Sequence, residues 1–300
     1  MKFAIHITTK NRRADLLFTL AQLKPLLENP NVECVVFDDG SNDGTGEAVQ
    51  SGFPKIKLLR NKVSRGYIYC RNLMLNETSA DVAISLDDDA HFLSENPLEV
   101  IENHFEENPK CGLMAFRIYW HKTAPENAIS AELSQVVKGY VGCGHAWRME
   151  AWRSIPPYPE WFEFYGEESF ASLQLFKKGW EIHYVPQILV LHRVDLKERK
   201  ASTTDFALRY RRGLRAGWFN LFLFYPIGRA MQLFFYSLGM QLKTKIFKGQ
   251  FHVILPVFRA LWDLLFHSPK IIKYRTAFTA NEFTAYAKLK EPKIYWKPEK

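Results

Sequence analysis

Three hundred residues that are 47% hydrophobic and 15% aromatic can bury a sizeable core in one or two domains, which excludes general disorder. The net charge of +8 is unevenly spread: residues 1–204 hold 23 Lys and Arg against 27 Asp and Glu, whereas residues 205–300 hold 17 against 5. A mildly acidic body with a basic tail points to an anionic surface as the tail's partner. No nucleic-acid-binding motif accompanies the charge, so a membrane surface is favoured and nucleic acid is not expected.

Cys34, Cys70, Cys111 and Cys143 are widely spaced, with no C-x-x-C pair. They read as small buried hydrophobes in a reducing compartment, not as a zinc site. Met1 to Thr8 enters a strand pattern at once and lacks the parts of a signal peptide, so the body is expected in the cytoplasm.

In chain order, Phe3 to Thr8 predicts a first strand, ending in Thr8-Thr9-Lys10-Asn11-Arg12-Arg13. A helix follows on the apolar spacing of Leu16, Leu20, Leu23 and Leu27. Val32 to Phe37 is a second strand, running into Asp38-Asp39-Gly40-Ser41-Asn42-Asp43-Gly44-Thr45 and a helix opened by Glu47. Ile56 to Leu59 is a third, and Asp81 to Leu86 a fourth, short and apolar, ending in Asp87-Asp88-Asp89. Strand and helix alternate, which predicts an α/β fold with a doubly wound, mostly parallel sheet flanked by helices. The dinucleotide fingerprint G-x-G-x-x-G and the P-loop are both absent.

Ligands bind open α/β sheets at the C-terminal ends of the strands, where these polar runs stand. Asp38 and Asp39 suit a base or ribose, or else form an ordinary turn with a helix cap. Three adjacent carboxylates repel one another unless a cation relieves them, and their hard oxygens suit Mg²⁺ or Mn²⁺; the plain alternative is an acidic turn. Farther on, Gly142-Cys143-Gly144 permits close backbone approach or a simple bulge. Trp161 to Phe170 leads into a helix with Glu167-Glu168 at its start, where acids also serve as dipole partners. Ile182 to Pro186 and Ile188 to His192 read as strand and turn, and His91 and His145 receive no role.

Thr8-Thr9-Lys10-Asn11-Arg12, the Asp38–Thr45 run and Leu86-Asp87-Asp88-Asp89, in this order and spacing, resemble glycosyltransferase family 2 over about residues 1–195. The resemblance implies a GT-A fold and an inverting transfer from a nucleoside-diphosphate sugar, a UDP-sugar as first expectation, to a glycan hydroxyl. It implies that Thr8, Asn11, Arg12, Asp38 and Asp39 line the nucleotide pocket and that Arg71-Asn72 lies near the diphosphate. Asp87 and Asp88 would face the ribose or donor sugar. Asp89, with Asp87 and His192, would hold Mn²⁺ or Mg²⁺. Gly142, Gly144 and Trp161 would border the acceptor. Gly-Glu-Glu resembles the family's G-E-D element, so Glu168 is the expected general base and Glu167 its substitute, although Glu168 stands where Asp is usual. Two other functions compete. A sugar-nucleotide nucleotidyltransferase needs a glycine-rich loop after the first strand, and Thr8 to Arg13 has no glycine. A glycan- or nucleotide-binding module without turnover is the non-enzymatic alternative.

Residues 1–205 are thus expected to form the catalytic domain, and 206–300 a basic, aromatic-rich helical region. Trp218 to Met240 is long enough for a bilayer, which takes about 20 residues, but Pro226 and Arg229 interrupt it. Phe251 to Phe266 repeats the theme. Flanking Lys and Arg with abundant aromatics fit helices lying on anionic lipid, peripheral on the inner face of the cell membrane; packing on the domain is the alternative. A lipid-linked acceptor in envelope or capsule polysaccharide assembly follows from that placement and from the resemblance.

Overall fold

The first strands are short, mostly apolar runs buried on both faces, which places them in a sheet covered by helices on each side. In the computed structural model, which describes residues 1–194 and 206–297, β1 (Phe3–Thr9) pairs in parallel with β2 (Val32–Asp38) and β4 (Val82–Asp87), and β2 with β3 (Lys57–Arg60). On one face Ile5, Ile7, Val36 and Ile84 meet Leu16, Leu20 and Leu23 of α1 (Arg13–Leu27) and Val49 of α2 (Thr45–Gly52). On the other, Val35 and Phe37 meet Cys70 and Met74 of α3 (Tyr67–Glu77).

The second half adds β5 (Ala90–Phe92), α4 (Pro97–Glu107), β6 (Cys111–Trp120), β7 (Gln135–Val137), β8 (Gly144–Arg148), α5 (Met149–Arg153), α6 (Glu167–Lys177) and β9 (Glu181–His192). The sheet order is β3-β2-β1-β4-β8-β6-β9-β5, with β7 also on β9. Six strands run one way, while β8, β5 and β7 run against them. The expected α/β sheet is therefore present, with two local corrections. Cys111 to Trp120 and Gly144 to Arg148, for which the sequence predicts no strand, are central strands of the sheet. Ile182 to His192 is one strand, in which the pairing jumps from Phe116–Val185 to Arg117–Leu189. Pro186 has no N–H for the ladder, so the irregularity falls there.

The tail comprises α7 (Phe206–Phe224), α8 (Ile227–Thr244), α9 (Ile254–Phe266), α10 (Ser268–Tyr274) and α11 (Ala280–Lys288). Pro226 separates α7 from α8. Phe219, Leu223 and Phe224 of α7 lie in the same apolar cluster as Trp147, Phe162 and Phe170. Burying each such side chain contributes roughly 1.5–3 kcal/mol, so the tail is firmly packed on the sheet's second face. The inner side of α9, with Val257 and Ala260, packs on Trp218. Among the described residues, no helix is long and apolar enough to cross a membrane.

Candidate functional site

Two arginines shape the aspartate cluster at the end of β4. Arg71 is buried and donates from Nη2 to Asp87 Oδ1 and to the Gly142 carbonyl, each at 2.8 Å. Arg12 donates to Asp89 Oδ2 at 2.7 Å. Each carboxylate thus keeps its other oxygen toward His192: Nε2 lies 2.9 Å from Asp89 Oδ1 and 3.9 Å from Asp87 Oδ2. Asp89 Oδ1 is buried with no aligned donor despite that short approach. Neighbouring ligand atoms of an octahedral ion, bound at about 2.0–2.1 Å, lie about 2.9 Å apart and opposing ones about 4.1 Å. The separations from His192 to the two carboxylates are therefore those of ligand atoms about a divalent ion of the Mn²⁺ or Mg²⁺ class. Cys143 is close enough to Asp87 and His192 to join them, with all three ligand atoms within 4.8 Å of one another. Burial pushes its thiol pKa up, and a neutral thiol is a poor ligand for a hard ion.

Burial would raise the Asp89 pKa, but the close imidazole of His192 and the Arg12 guanidinium outweigh it and hold the carboxyl below its usual range. Asp88 turns the other way. It accepts from Thr9 Oγ1 at 2.8 Å and lies 3.3 Å from Arg12 Nε, and burial pushes its pKa up to about 7. It serves inside the protein and does not line the main cavity.

The loops after β1 and β2 are tied together. Asn11, at φ 53°, donates its N–H to Ser41 Oγ and accepts from Asn42 N–H, both at 2.8 Å. Thr8 pairs in register with Asp87, and its buried hydroxyl has no partner. Asp39 accepts from Asn61 Nδ2 (2.7 Å), Ser64 Oγ (2.6 Å), Arg65 N (2.8 Å) and Gly66 N (2.9 Å). Burial opposes its charge, but these bonds prevail and depress its pKa. Its acceptor positions are filled by the 61–66 loop, so it shapes the wall of a pocket more than it offers a free edge. Asp38 is fully buried, accepting from Ser41 N at 2.8 Å with Arg60 Nε at 3.1 Å; it braces the turn and has no surface for a ligand. Asn72 is likewise structural, exchanging hydrogen bonds with the Tyr158 backbone.

The glutamate pair is delivered by a strained loop. Glu163, Tyr165 and Gly166 have φ of 63°, 71° and 86°, and α6 begins at Glu167. Bulky residues rarely hold positive φ, and such strain gathers at functional sites. Glu167 is buried and Glu168 half-buried; burial pushes both carboxyls upward, and at Glu167 the charge of Glu168 adds to it. Glu168 Oε1 occupies the space beside Gly142, where an added Cβ would lie 2.3 Å from it. Gly142 thus admits the carboxylate. Gly144 does not share that role, since its missing Cβ faces Ile118 and Val190 in the sheet core. Trp161 also lies elsewhere, packed on Phe219 and stacked on His267 at 5.5 Å, in the seam with the tail.

A cavity of about 480 Å³ joins these groups: Asp87 and His192 share it with Gly142, Glu167 and Glu168. The metal-fitting set and the acid pair, distant in sequence, face one space. Tyr67, Trp120, Lys138, Tyr140 and Tyr165 also line it, as do Tyr286 and Glu291 of the tail. No signal in the sequence marks these, because single aromatic and charged residues on loops belong to no motif.

A profile of the family described as Glycosyl transferase family 2 matches residues 4–160. An uncharacterized glycosyltransferase of Bacillus subtilis (strain 168), YfnE, is 33% identical over 124 residues, which is 40% of this chain and 31% of that protein. The chain therefore spans less than a third of that relative. Among solved structures, GalNAc-T7 with UDP, GalNAc and Mn²⁺ is similar at a TM-score of 0.61 and 15% identity, over 80% of this chain and 50% of its own. The mannosyltransferase PcManGT of Pyrobaculum calidifontis, in complex with GDP-Man and Mn²⁺, gives 0.54 at 13% identity over 95% and 78%. TarS 1–349 of S. aureus with UDP gives 0.52 at 15% identity over 81% and 72%. At such identities the likeness to solved structures speaks for the fold.

Proposed function

The chain belongs to glycosyl transferase family 2, and from that we propose that it transfers a sugar, with inversion, from a nucleoside-diphosphate sugar to a hydroxyl of a glycan acceptor. The observation that carries this reading is the single cavity shared by Asp87, His192, Glu167 and Glu168. A UDP-sugar is the first donor to test, since similar folds hold UDP, with GDP-mannose as the other precedent. Asp87, Asp89 and His192 would hold a divalent metal, Mn²⁺ by the same precedent, which supplies charge stabilisation for the departing diphosphate. Arg71 adds a fixed positive charge beside it, with Nη1 buried and unpartnered. Glu168 removes the proton of the acceptor hydroxyl as its oxygen bonds to the anomeric carbon, and the bond from that carbon to the diphosphate breaks on the opposite face. Burial holds its carboxyl above the ordinary range, which makes it the stronger base. The acceptor is read as lipid-linked, in envelope polysaccharide assembly, because the tail exposes large apolar side chains among its lysines, including Phe247, Phe258 and Trp262.

Thermal-shift measurements with UDP-, GDP-, CDP- and dTDP-sugars, each with and without Mn²⁺, test the donor site. Stabilisation by one nucleotide class that depends on the metal is expected. Glu168→Gln should keep that stabilisation and lose transfer by about 10²–10⁴-fold. Transfer at the native rate would remove Glu168 from its role, and no shift with any nucleotide would count against the donor site.

A further inference from the structure

After α11 the chain returns to the sheet. Lys290 bridges Val137 and Trp296 bridges Tyr119, both in parallel. Lys138 N–H donates to the Lys290 carbonyl at 2.8 Å, and Trp120 Nε1 donates to the Ile294 carbonyl at 2.7 Å. Ion pairs fasten the same segment, Lys138 to Glu291 at 2.6 Å and Lys293 to Glu132 at 2.7 Å. The Arg117 guanidinium lies 4.3 Å from the centre of the Trp296 ring. Residues 289–297 are thus held at both ends, from β7 to the end of β6. Trp120, which anchors the segment's middle, packs on the metal-side His192 with ring centres 4.4 Å apart.

This segment forms one wall of the reaction cavity. Tyr286, Glu291, Pro292 and Ile294 join the space that holds Asp87 and Glu168. Elsewhere the cavity is lined by Tyr67, Phe164 and Tyr165, whose rings pack in sequence at 5.4 and 4.7 Å. A nucleoside diphosphate needs cations, and the basic group on the tail side of the cavity, Lys138, is already paired with Glu291. Apolar and aromatic surfaces with a few polar groups suit a ligand that has flat C–H faces and hydroxyl edges. We propose that residues 286–294 form the acceptor wall, and that the ligand seated between this wall and the Tyr67–Phe164–Tyr165 side is a saccharide ring whose hydroxyl reaches Glu168. This rests on the transferase reading and names the part of the chain that selects its acceptor.

The test uses the full chain with Mn²⁺, the UDP-sugars of glucose, galactose and N-acetylglucosamine, and a panel of p-nitrophenyl glycosides as acceptors. Glu291→Ala and Ile294→Asp alter side chains that are 76% and 45% exposed, so folding is not at stake. Either change should raise the acceptor KM roughly tenfold, as losing one or two contacts does, while the donor KM moves much less. Transfer with an unchanged acceptor KM in both variants overturns the wall. Cleavage of the UDP-sugar by the native chain without transfer to any glycoside overturns the saccharide assignment. No UDP-sugar cleavage and no UDP–Mn²⁺ binding would instead remove the transferase reading beneath it.

Discussion

Glu167 and Glu168 show how little of a residue's chemistry is its type. Both are ordinary acids at a helix start, yet burial raises both pKa values, helped at Glu167 by the charge of Glu168 and at Glu168 by that of Asp87. Glu167 binds its proton more tightly folded than unfolded. Its contribution to stability is therefore complete below the ordinary value of 4.5 and is lost as the pH rises through its raised folded value. Glu167→Gln cannot ionise, so it should melt higher than the native chain at pH 8, and the gap should close by pH 4; calorimetry across that range measures it. Gly142 makes the complementary point. Gly142→Ala would place a methyl group on the position of Glu168 Oε1, whose side chain can swing away. The fold should survive with little change in melting temperature. Turnover should drop by up to about 10²-fold, the cost of a base displaced by an ångström; steady-state kinetics beside a melting curve separates the two effects.

Among the elements, α7 links tail and chemistry. Gly166 lies so close to it that an added Cβ would meet the Ala216 Cβ at 2.7 Å. Asn220 donates to the Gly166 carbonyl at 3.0 Å, and buried Arg215 donates to the Phe162 carbonyl and to Glu163. Arg215 is itself 3.7 Å from Asp263 on α9, which Arg211 also grips. The positive-φ turn before Glu167 is thus clamped by a helix from the basic tail, which is how a strained loop is held in place. Asn220→Ala removes one clamp, while the Gly166 carbonyl keeps the Phe170 N–H at 2.8 Å, so the cost is that of one net hydrogen bond, about 0.5–1.5 kcal/mol. The expected result is a lower kcat with the donor KM nearly unchanged, read together with the melting temperature. A donor KM that rises while kcat holds would place Asn220 outside the positioning of the loop.

At the scale of the molecule, the tail has two sides. Its inner side completes the core, whereas on α9 Leu255, Phe258, Trp262, Leu265 and Phe266, 54–73% exposed, repeat at helical spacing. So large an apolar row on a soluble surface marks an interaction site, and Lys243, Lys245, Lys248, Lys270 and Lys273 stand near it in the chain. The expected occupant is the surface of an anionic bilayer. Flotation with phosphatidylglycerol vesicles should carry the chain upward, weakly with phosphatidylcholine and less as salt rises. Trp262→Glu with Phe258→Glu should abolish flotation while nucleotide binding persists. Equal flotation of the double variant would sink the membrane reading of this face.

Sequence alone determined the first four strands, the family and the three polar strand ends. These are local signals: short apolar, β-branched runs mark strands, and charged runs at their ends need no distant partner to be noticed. It also picked out Asp87, Asp89, His192, Glu167 and Glu168, which the fold gathers. Direction is what it lacked. Asp38 and Asp39 are neighbours in one motif, but the turn buries the first against Arg60 and saturates the second with the 61–66 loop. Gly142 and Gly144 look alike in sequence, yet strand alternation and packing set one against Glu168 and the other against Ile118. Trp161 points into a seam that exists only because α7 returns to the sheet. Residues 289–297 reach the cavity through contacts with β6 and β7, more than a hundred positions away. Contacts of that range are selected by the packing of the whole chain, so only the tertiary structure could decide them.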